Sequence, residues 1–383
     1  MSQENTEQSG SPHYRPFTLA REGELKALRD LSKEAHERFT PIFVIPARPF
    51  DYDKGDHTKS MAQHIAPFPE KLVPARKAPQ AFVDTSLLDD ERPIHGSTHP
   101  IIWLVRKTES LGLALTPVLT PESSSSLVAA ARALHHETGR GIALKLTGPE
   151  WPSKNPSPSQ AILAAVGVAP ADVDLLLDFG ADTSSFVASA IQTELQAPSA
   201  TQWRSVTVGG YAWPAATPAD KGVSVLPRHD WRQYSAGRQA FNGPDSRRAD
   251  FFDHLVINPE AVLEVDPRYL AISATFRYTT EENWLFSRGD LYKASQGRGK
   301  GGKAVPTATG PLTQHHLYGT PIRTRADDWI DNTLDSSMPY KPGNAGTWRQ
   351  WATYRHIEVT LHSLSSLSGP SAAPSQAPTL PHH

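Results

Sequence analysis

The fold is decided by residues 139–180, which read GRGIALKLTGPEWPSKNPSPSQAILAAVGVAPADVDLLLDFG. Two apolar runs, at 142–146 and 175–177, are too short for buried helices and are bounded by glycine and charged residues. Such runs are typical of parallel strands that are buried on both faces. The segment between them has the composition of a helix, so the stretch predicts one strand–helix–strand unit.

Similar units recur along the chain at intervals of about thirty to forty residues, the length of a βα unit. A first helix is predicted at 20–38. Strands are predicted at 42–46, 81–84, 113–119, 142–146, 175–177, 205–208, 253–257 and 269–278. Eight strands alternating with helices favour an α/β fold, the closed (β/α)8 TIM-like barrel, over an open doubly wound sheet. The open sheet normally needs a topological switch, and the early Gly-rich dinucleotide fingerprint is missing here.

The last third of the chain is less regular. Its predicted elements are an extended piece at 223–228, a helix at 229–241, a strand at 283–289 paired with 269–278, a Gly-, Lys- and Ala-rich loop at 296–309, and a helix at 348–364. We therefore predict a single barrel domain over residues 14–364, with a C-terminal hairpin and helix extension. Residues 1–13 are polar and residues 365–383 are rich in Ser, Pro and Ala, so both ends are predicted to be disordered.

The composition excludes several classes of site. The chain of 383 residues has no cysteine, which excludes disulfides, Cys-type zinc sites, iron–sulfur clusters and a thiol nucleophile. Its formal net charge of −2 provides no global field for nucleic acid or for an anionic membrane. The N-terminus lacks the regions of a signal peptide, and no run reaches the length of a membrane span. We expect a soluble, cytoplasmic protein that does not contact membranes.

Several phrases together resemble one known family. They are YRPFTLAREGELKAL (14–28), FTPIFVIPARPFD (39–51), FVDTSLL (82–88), GIALKL (141–146), VSVLPRHDW (223–231), FRYTTEENWLFSRG (276–289) and TWRQWATYRHIEV (347–359). Their order and spacing resemble the "beta protein" family, which occurs in phages and in bacterial defence-associated loci. The resemblance covers residues 14–364. It departs from the family at RADFFDHLVINP (248–259), where we expect a Gly-Asp-Tyr-like phrase and where only Asp250 and the following aromatic residue fit.

The resemblance implies a barrel-like fold and a role in conflict between bacteria and phages. It brings no established reaction, so no catalytic residue is carried over from it. Whether the protein is an enzyme is left undecided, and the cofactor is unknown.

In a (β/α)8 barrel the functional face is the C-terminal end of the strands, where the loops meet at one mouth. Polar residues at these predicted ends form a ring of carboxylates and cations. The ring so predicted consists of Arg48, Asp84, Lys145, Asp178, Tyr211, Arg228, Asp250, Arg277, Tyr278 and Arg288. Asp250 is included as the residue before the strand predicted at 253–257, and Arg288 lies on the companion strand at 283–289. Such a mouth suits binding or cleavage of a phosphate- or carboxylate-bearing ligand, since Arg forks match both groups. The alternative is a set of ion pairs that only complete the barrel rim.

Asp84 and Asp178 are the catalytic candidates of this ring. Each follows a buried apolar run, where a carboxylate is partly desolvated and needs a partner. A carboxylate among cations acts as a general base or holds a metal. His356 is a further ligand-binding candidate, because it follows Arg355 on an aromatic helix; the alternative is that it is a packing residue.

No standard metal or nucleotide motif is present. The histidines show no H-E-x-x-H or H-x-H pattern, so no metal site is predicted. The segment GRGKGGKA (297–304) fits G-x-x-x-x-G-K, but Ala304 stands where a P-loop has Ser or Thr. It is interpreted as a basic surface loop, and the closeness of Arg298, Lys300 and Lys303 leaves a contact with nucleic-acid phosphates open.

Two functions fit these observations. The first is binding or processing of a phosphate-bearing small molecule or nucleotide at the barrel mouth, in a defence setting. The second is a non-catalytic protein-recognition module, in which the barrel binds a phage or host protein within a multi-subunit system. The shape of the mouth separates them: a concave pocket in which Asp84, Asp178 and an arginine converge favours the first, and a flat, filled mouth favours the second.

Overall fold

The computed structural model describes residues 12–88, 94, 96–239, 248–261, 271–294, 299–335 and 342–367. Its strands are β1 (Phe17–Leu19), β2 (Ile42–Val44), β3 (Phe50–Asp51), β4 (Asp56–His57), β5 (Gln80–Asp84), β6 (Ala114–Leu119), β7 (Ile142–Thr147), β8 (Val173–Asp178), β9 (Ser205–Gly209), β10 (Gly222–Pro227), β11 (Asp250–Phe252), β12 (Ile272–Thr279) and β13 (Asn283–Lys293). Its α-helices are α1 (Glu22–Asp30), α2 (Lys33–Arg38), α3 (Met61–Ile65), α4 (Phe68–Ala75), α5 (Pro100–Ser110), α6 (Ser125–Thr138), α7 (Ser157–Val166), α8 (Phe186–Gln196), α9 (His229–Gln239), α10 (Pro306–Thr313), α11 (Arg325–Asn332) and α12 (Ala345–Ser366).

Eight of the strands form a parallel barrel. They pair in the order β1-β2-β5-β6-β7-β8-β9-β11, which is their order along the chain. Backbone bonds join the last strand to the first: Arg15 N donates to the Phe251 carbonyl at 2.8 Å and Phe17 N donates to the Asp253 carbonyl at 2.8 Å. The sheet therefore closes on itself, and the predicted (β/α)8 barrel is confirmed.

Each barrel strand is followed by one to three α-helices. These are α1 and α2 after β1, α3 and α4 after β2, α5 after β5, α6 after β6, α7 after β7, α8 after β8, α9 after β9, and α10, α11 and α12 after β11. Outward-facing strand residues such as Phe43, Leu144 and Leu177 belong to the same buried cluster as residues of these helices. The helix predicted as a C-terminal extension is therefore the eighth barrel helix.

The membership of the barrel differs from the prediction at its two ends. The first barrel strand, β1, has three residues and was not predicted; it ends immediately before the predicted helix 20–38. That predicted helix is two helices in the structure, because α1 ends at Asp30 and α2 begins after the Ser32 N-cap. The prediction of strand eight at 269–278 is wrong, because the described part of that segment, β12, lies in a different, antiparallel sheet. The strand predicted seventh, at 253–257, corresponds to β11, which lies just before it in the sequence and is the eighth strand of the barrel.

A three-stranded antiparallel sheet, the appended sheet, consists of β10, β13 and β12 in that order. Its pairing of β12 with β13 confirms the predicted hairpin. β10 lies between β9 and α9 in the chain, and β12 and β13 lie between β11 and α12. The appended sheet is therefore built from the loops after the seventh and eighth barrel strands, at the C-terminal end of the barrel. Of the predicted loop 296–309, residues 296–298 lie outside the described residues. Gly301–Ala304 forms a 3-10 helix, and α10 begins at Pro306.

The barrel interior is filled by side chains that alternate along the strands. One buried cluster takes a residue from each of seven barrel strands: Phe17, Ile42, Phe82, Val118, Ala143, Leu176 and Phe252. Because side chains two residues apart share a face, Asp84, Lys145 and Asp178 point inward like the residues two positions before them. The side chains of these three residues therefore lie in the barrel interior at its C-terminal end.

Two glycines permit the close approach of β9 to its neighbours near this end. A Cβ on Gly209 would lie 1.9 Å from the Phe252 carbonyl oxygen, and one on Gly210 would lie 2.3 Å from the Gly180 carbonyl oxygen. Any side chain there would push the strands apart, which explains the paired glycines after the sixth predicted strand.

The ends predicted to be disordered lie mostly outside the described residues, since the description starts at residue 12 and stops at residue 367. Within it, Ser365 and Ser366 belong to α12 rather than to the tail. None of the described helices combines the length and the apolar character that crossing a membrane requires.

Candidate functional site

The C-terminal mouth of the barrel contains a lysine–aspartate pair. The Lys145 ammonium lies 3.8 Å from Oδ2 of Asp178, and the two side chains are 22% and 9% exposed. Oδ1 of Asp178 accepts a hydrogen bond from Gly180 N at 2.8 Å. Burial raises the pKa of the Asp178 carboxyl above its ordinary value, although the charge of Lys145 and the Gly180 N–H act in the opposite direction. Asp178 is therefore a carboxyl group suited to exchanging a proton.

His254, in the loop after β11, lies near this lysine–aspartate pair. Its ring stacks on Phe17 at 4.5 Å between centroids, and the Lys145 ammonium lies 5.3 Å from the same Phe17 ring. Nε2 of His254 is buried and has no hydrogen-bond partner among the described residues. Burial, and then the charge of Lys145, lowers the pKa of His254 to about 3, so the imidazole is neutral at physiological pH.

Tyr211 and Asp84 lie at the same end of the barrel. The Tyr211 ring meets His254 edge-on at 5.8 Å. Burial raises the pKa of the Tyr211 hydroxyl, and its hydrogen bond to the Glu260 carboxylate raises it further. Asp84 is 5% exposed, and its Oδ1 accepts a hydrogen bond from Ser86 N at 2.8 Å. We refer to Asp84, Lys145, Asp178, Tyr211 and His254 as the mouth cluster.

Asp250 does not belong to the predicted ring. It is the first residue of β11, and the first residues of parallel strands lie at the N-terminal end of the barrel. There it forms an ion pair with Arg15 and accepts a hydrogen bond from His13 N at 2.8 Å. Asp250 was included in the ring as the residue that precedes the strand predicted at 253–257, whereas the structure makes it the first residue of β11.

Arg228 and His356 are buried away from the mouth, in a network around Asp253. Nε2 of His356 lies 2.8 Å from Oδ2 of Asp253, and the Tyr14 hydroxyl donates to Oδ1 at 2.6 Å. Arg228 lies 3.8 Å from Oδ2, and the side chains of Arg228, Asp253 and His356 are all 0% exposed. These residues come from the residue after β10, the loop after β11 and α12, so their network joins the barrel wall to α12.

The protonation of this network follows from its burial. Burial alone would raise the pKa of Asp253, but His356, Arg228 and the Tyr14 hydroxyl outweigh it and keep the pKa below its ordinary value. Burial lowers the pKa of His356. We therefore describe an ionised Asp253 that is balanced by Arg228 and hydrogen-bonded to His356 and Tyr14.

Asp230 gives the network a pH-dependent stability. It is 1% exposed, and its Oδ2 has no hydrogen-bond partner among the described residues. Burial raises its pKa to about 7, with Arg228 opposing the shift and Asp253 adding to it. An acid with a raised folded-state pKa holds its proton more tightly in the folded protein. The free-energy cost of ionising the buried Asp230 carboxyl in the folded protein is therefore absent below about pH 4, the ordinary pKa of Asp, and complete above pH 7.

Asp230→Asn should accordingly be more stable than the wild type at pH 8, by about 1–2 kcal/mol, and close to it at pH 4. The neutral amide removes the cost of a buried charge, and its oxygen still accepts the hydrogen bond from Trp231 N that Oδ1 accepts at 2.8 Å. Urea unfolding of both proteins across this pH range measures the difference. The expectation would be contradicted if the stability of Asp230→Asn relative to the wild type were lower at pH 8 than at pH 4.

The remaining predicted residues lie on the appended sheet or in a loop. Tyr278 donates to Asp327 and accepts from Gly319 N at 2.6 Å, in a buried cluster. Nη1 of Arg288 donates to the Pro218 carbonyl at 3.2 Å. Nη1 of Arg48 donates to the Lys59 carbonyl at 3.3 Å, in the loop after β2. Tyr278 and Arg288 therefore do not join the mouth, and Arg48 is turned toward its own loop.

Arg277 reaches the loops of the mouth from β12. Its guanidinium lies 4.6 Å from the Trp213 ring centroid and donates to the Val256 carbonyl. Tyr211 precedes Trp213 by two residues and His254 precedes Val256 by two residues, so Arg277 contacts the two loops that carry these mouth residues. No contact of an arginine with Asp84 or Asp178 is seen within the described ranges, so the convergence of both carboxylates with an arginine, which would favour the first of the two functions, is not observed. The cation beside Asp178 is Lys145 instead.

His254 and Asp253 were missed by the sequence analysis. They fell inside the strand predicted at 253–257, whereas β11 ends at Phe252 and both residues begin the following loop. Leu255 has a φ of 55°, which is rare for a residue other than glycine. In the residues that the structure describes, no three His, Asp or Glu side chains are grouped so that they could hold a metal ion.

The closed barrel and its mouth cluster define a (β/α)8-barrel protein whose ionisable residues gather at the C-terminal end of the strands. The model of a protein family described as Beta protein matches residues 14–362, nearly the whole chain. The chain therefore belongs to the Beta protein family, as the resemblance implied. A search of the curated proteins found no match.

Proposed function

We propose that this Beta protein family member binds a phosphate-bearing small molecule or nucleotide at its C-terminal mouth and processes it there. One observation supports this above all: the Lys145 ammonium lies 3.8 Å from the Asp178 carboxyl at the end of the barrel axis. Beside them His254 has a buried Nε2 without a partner among the described residues. Buried polar atoms are normally paired, so an unpaired one at a mouth is a place for a ligand atom.

The roles follow from the charges. Lys145 is the cation that attracts the ligand's phosphate, and neutral His254 forms a hydrogen bond with it through Nε2. Asp178, whose pKa is raised by burial, is the candidate general acid or base, with Asp84 as the second carboxylate of the mouth. An incoming anion favours the protonated form of Asp178, so ligand affinity should fall as the pH rises.

The setting of this activity, conflict between bacteria and phages, is proposed from the family to which the chain belongs. The partner is then a phosphorylated metabolite or nucleotide of the host or of the phage.

A non-catalytic protein-recognition module of a multi-subunit defence or phage system is the second candidate. It is favoured by Phe186, which is 79% exposed at the first position of α8. Because α8 follows β8, this aromatic side chain lies on the mouth side of the barrel. Exposed aromatic residues are frequent at protein interfaces. A phage or host protein seated on the mouth would cover it.

Isothermal titration of the purified protein with ribose 5-phosphate, AMP, ADP and ATP tests the first candidate. Lys145→Gln should weaken the binding of the best of these ligands by about tenfold or more, since one charge-assisted contact is lost. Lys107→Gln, on the exposed surface of α5, is the matched control and should bind like the wild type. The first candidate fails if none of the four ligands binds or if both variants bind equally. A stoichiometric protein recovered by native purification, and lost on Phe186→Ala, would favour the second.

A further inference from the structure

A cleft opens between β12 of the appended sheet and the N-terminal half of α12. Its lining includes Ile272, Thr275, Arg277, Trp348 and Arg349. None of the mouth cluster residues is part of this lining. The cleft is therefore a separate feature of the C-terminal end of the molecule, which the proposed function does not use.

The charges around this cleft are unbalanced. Nη1 of Arg349 lies 3.3 Å from Oε1 of Glu24, a residue of α1 that is 1% exposed. Arg277 and Arg21 both lie within electrostatic reach of Arg349 and Glu24. Three guanidinium groups therefore lie near the Glu24 carboxylate. Glu24 is shared among three arginines and does not neutralise them.

Both lining arginines keep unused donors. Arg277 and Arg349 each donate through Nη1, to the Val256 carbonyl and to Glu24 respectively. Within the described ranges their Nε and Nη2 atoms donate no hydrogen bond. The fork of a guanidinium matches two oxygens of one oxyanion, so the two side chains together fit a phosphate group.

The residues around the two arginines strengthen the preference of the cleft for an anion. Trp348 is 4% exposed and forms an apolar wall with Ile272, which reduces the screening of charges by water. Burial, followed by the charge of Arg349, lowers the pKa of Arg277 to about 9. Two like charges held together in a partly desolvated cleft repel each other, and an anion between them removes that cost.

We propose that this arginine cleft, lined by Arg277 and Arg349 beside Arg21 and Glu24, is a binding site for a phosphate dianion. The anion bridges β12 and α12 close to α1, and so fixes the appended sheet against the barrel. Through Arg277, which contacts Trp213 and the Val256 carbonyl, the site adjoins the loops that carry Tyr211 and His254.

Thermal unfolding and isothermal titration with inorganic phosphate, at constant ionic strength kept with sodium chloride, test the proposal. The wild type should bind phosphate and unfold at a higher temperature in its presence. Arg349→Gln should weaken binding by about tenfold and lose most of the shift. Arg288→Gln is the matched control, because Arg288 is an arginine of the same sheet that bonds to the Pro218 carbonyl instead. It should respond like the wild type.

Arg349→Gln also removes the partner of Glu24, so a second variant guards against misfolding. Arg21 is exposed, and Arg21→Gln should fold normally and weaken phosphate binding by a smaller factor. A wild type that neither binds phosphate nor is stabilised by it, or an Arg349→Gln protein that responds as Arg288→Gln does, overturns the proposal. Titration with methyl phosphate tells whether the natural ligand is a phosphate ester or free inorganic phosphate. Tighter binding of methyl phosphate than of phosphate assigns the site to an ester, and equal or weaker binding assigns it to the free anion.

The result is separable from the function proposed for the mouth. Phosphate binding that survives Lys145→Gln but not Arg349→Gln belongs to the arginine cleft. The opposite pattern belongs to the mouth cluster and overturns the cleft proposal.

Discussion

Replacing Asp253 with alanine should destabilise the folded protein by about 3–5 kcal/mol, because it removes the ionised carboxylate beside a buried arginine. Arg228 is 0% exposed and lies 3.8 Å from the Asp253 carboxylate. The Tyr14 hydroxyl and Nε2 of His356 would lose their acceptor at the same time. These partners come from the start of the chain, from the residue after β10 and from α12. The loss should therefore weaken the closure of the barrel as a whole.

Urea unfolding followed by circular dichroism measures this loss. Asp220→Ala, at an exposed loop position, is the control and should change stability by no more than about 0.5 kcal/mol. Asp253→Asn should lie between the two, since the amide oxygen still accepts from Tyr14 although the charge is gone. If Asp253→Ala were no less stable than Asp220→Ala, the network would not hold the barrel and α12 together.

The middle of the barrel could be predicted because its strands are buried on both faces. The runs that became β7 and β8 are almost continuously apolar, a pattern that few other structures produce. β1 could not be predicted in this way. It has only Phe17, Thr18 and Leu19, and α1 begins three residues later, so the strand is hidden in front of a strong helical pattern.

β12 shows the opposite difficulty. Its alternation from Ile272 to Thr279 identifies a strand correctly, but alternation does not tell which sheet the strand joins. The pairing of β12 with β13 is local, whereas barrel closure by β1 and β11 depends on residues more than two hundred positions apart. A count of eight strands was therefore reached with one wrong member and one missing.

The candidate site depended on the face of each strand end as well as on its position. Asp178 and Asp253 both follow apolar runs at the C-terminal end of the barrel. Asp178 shares the inward face of Leu176, whereas Asp253 follows Phe251 on the outward face, against α12. The strand predicted at 253–257 lies wholly after β11, so Asp253 and His254 were counted as strand residues and not as the loop that begins at the C-terminal end of the barrel.

The largest functional effect is expected for Asp178→Asn, which should reduce processing of the mouth ligand by about 100-fold or more if Asp178 is the general acid or base. The same change should leave stability unchanged or raise it. Burial raises the pKa of Asp178, so the folded protein bears a cost for the ionised carboxylate that appears as the pH rises through that pKa. The amide has no such cost, and its oxygen still accepts the hydrogen bond of Gly180 N.

Asp174→Asn is the matched control on the same strand. Asp174 also points inward but lies at the opposite end of β8, where Oδ2 accepts from Arg204 at 2.6 Å. This substitution should lower stability, by about 1–3 kcal/mol, and leave ligand processing unchanged. Turnover of the ligand found by titration and thermal unfolding are measured on both variants. A loss of folding in Asp178→Asn would make Asp178 a structural residue, whereas lost turnover in a fully stable protein is the pattern of a group kept for its chemistry.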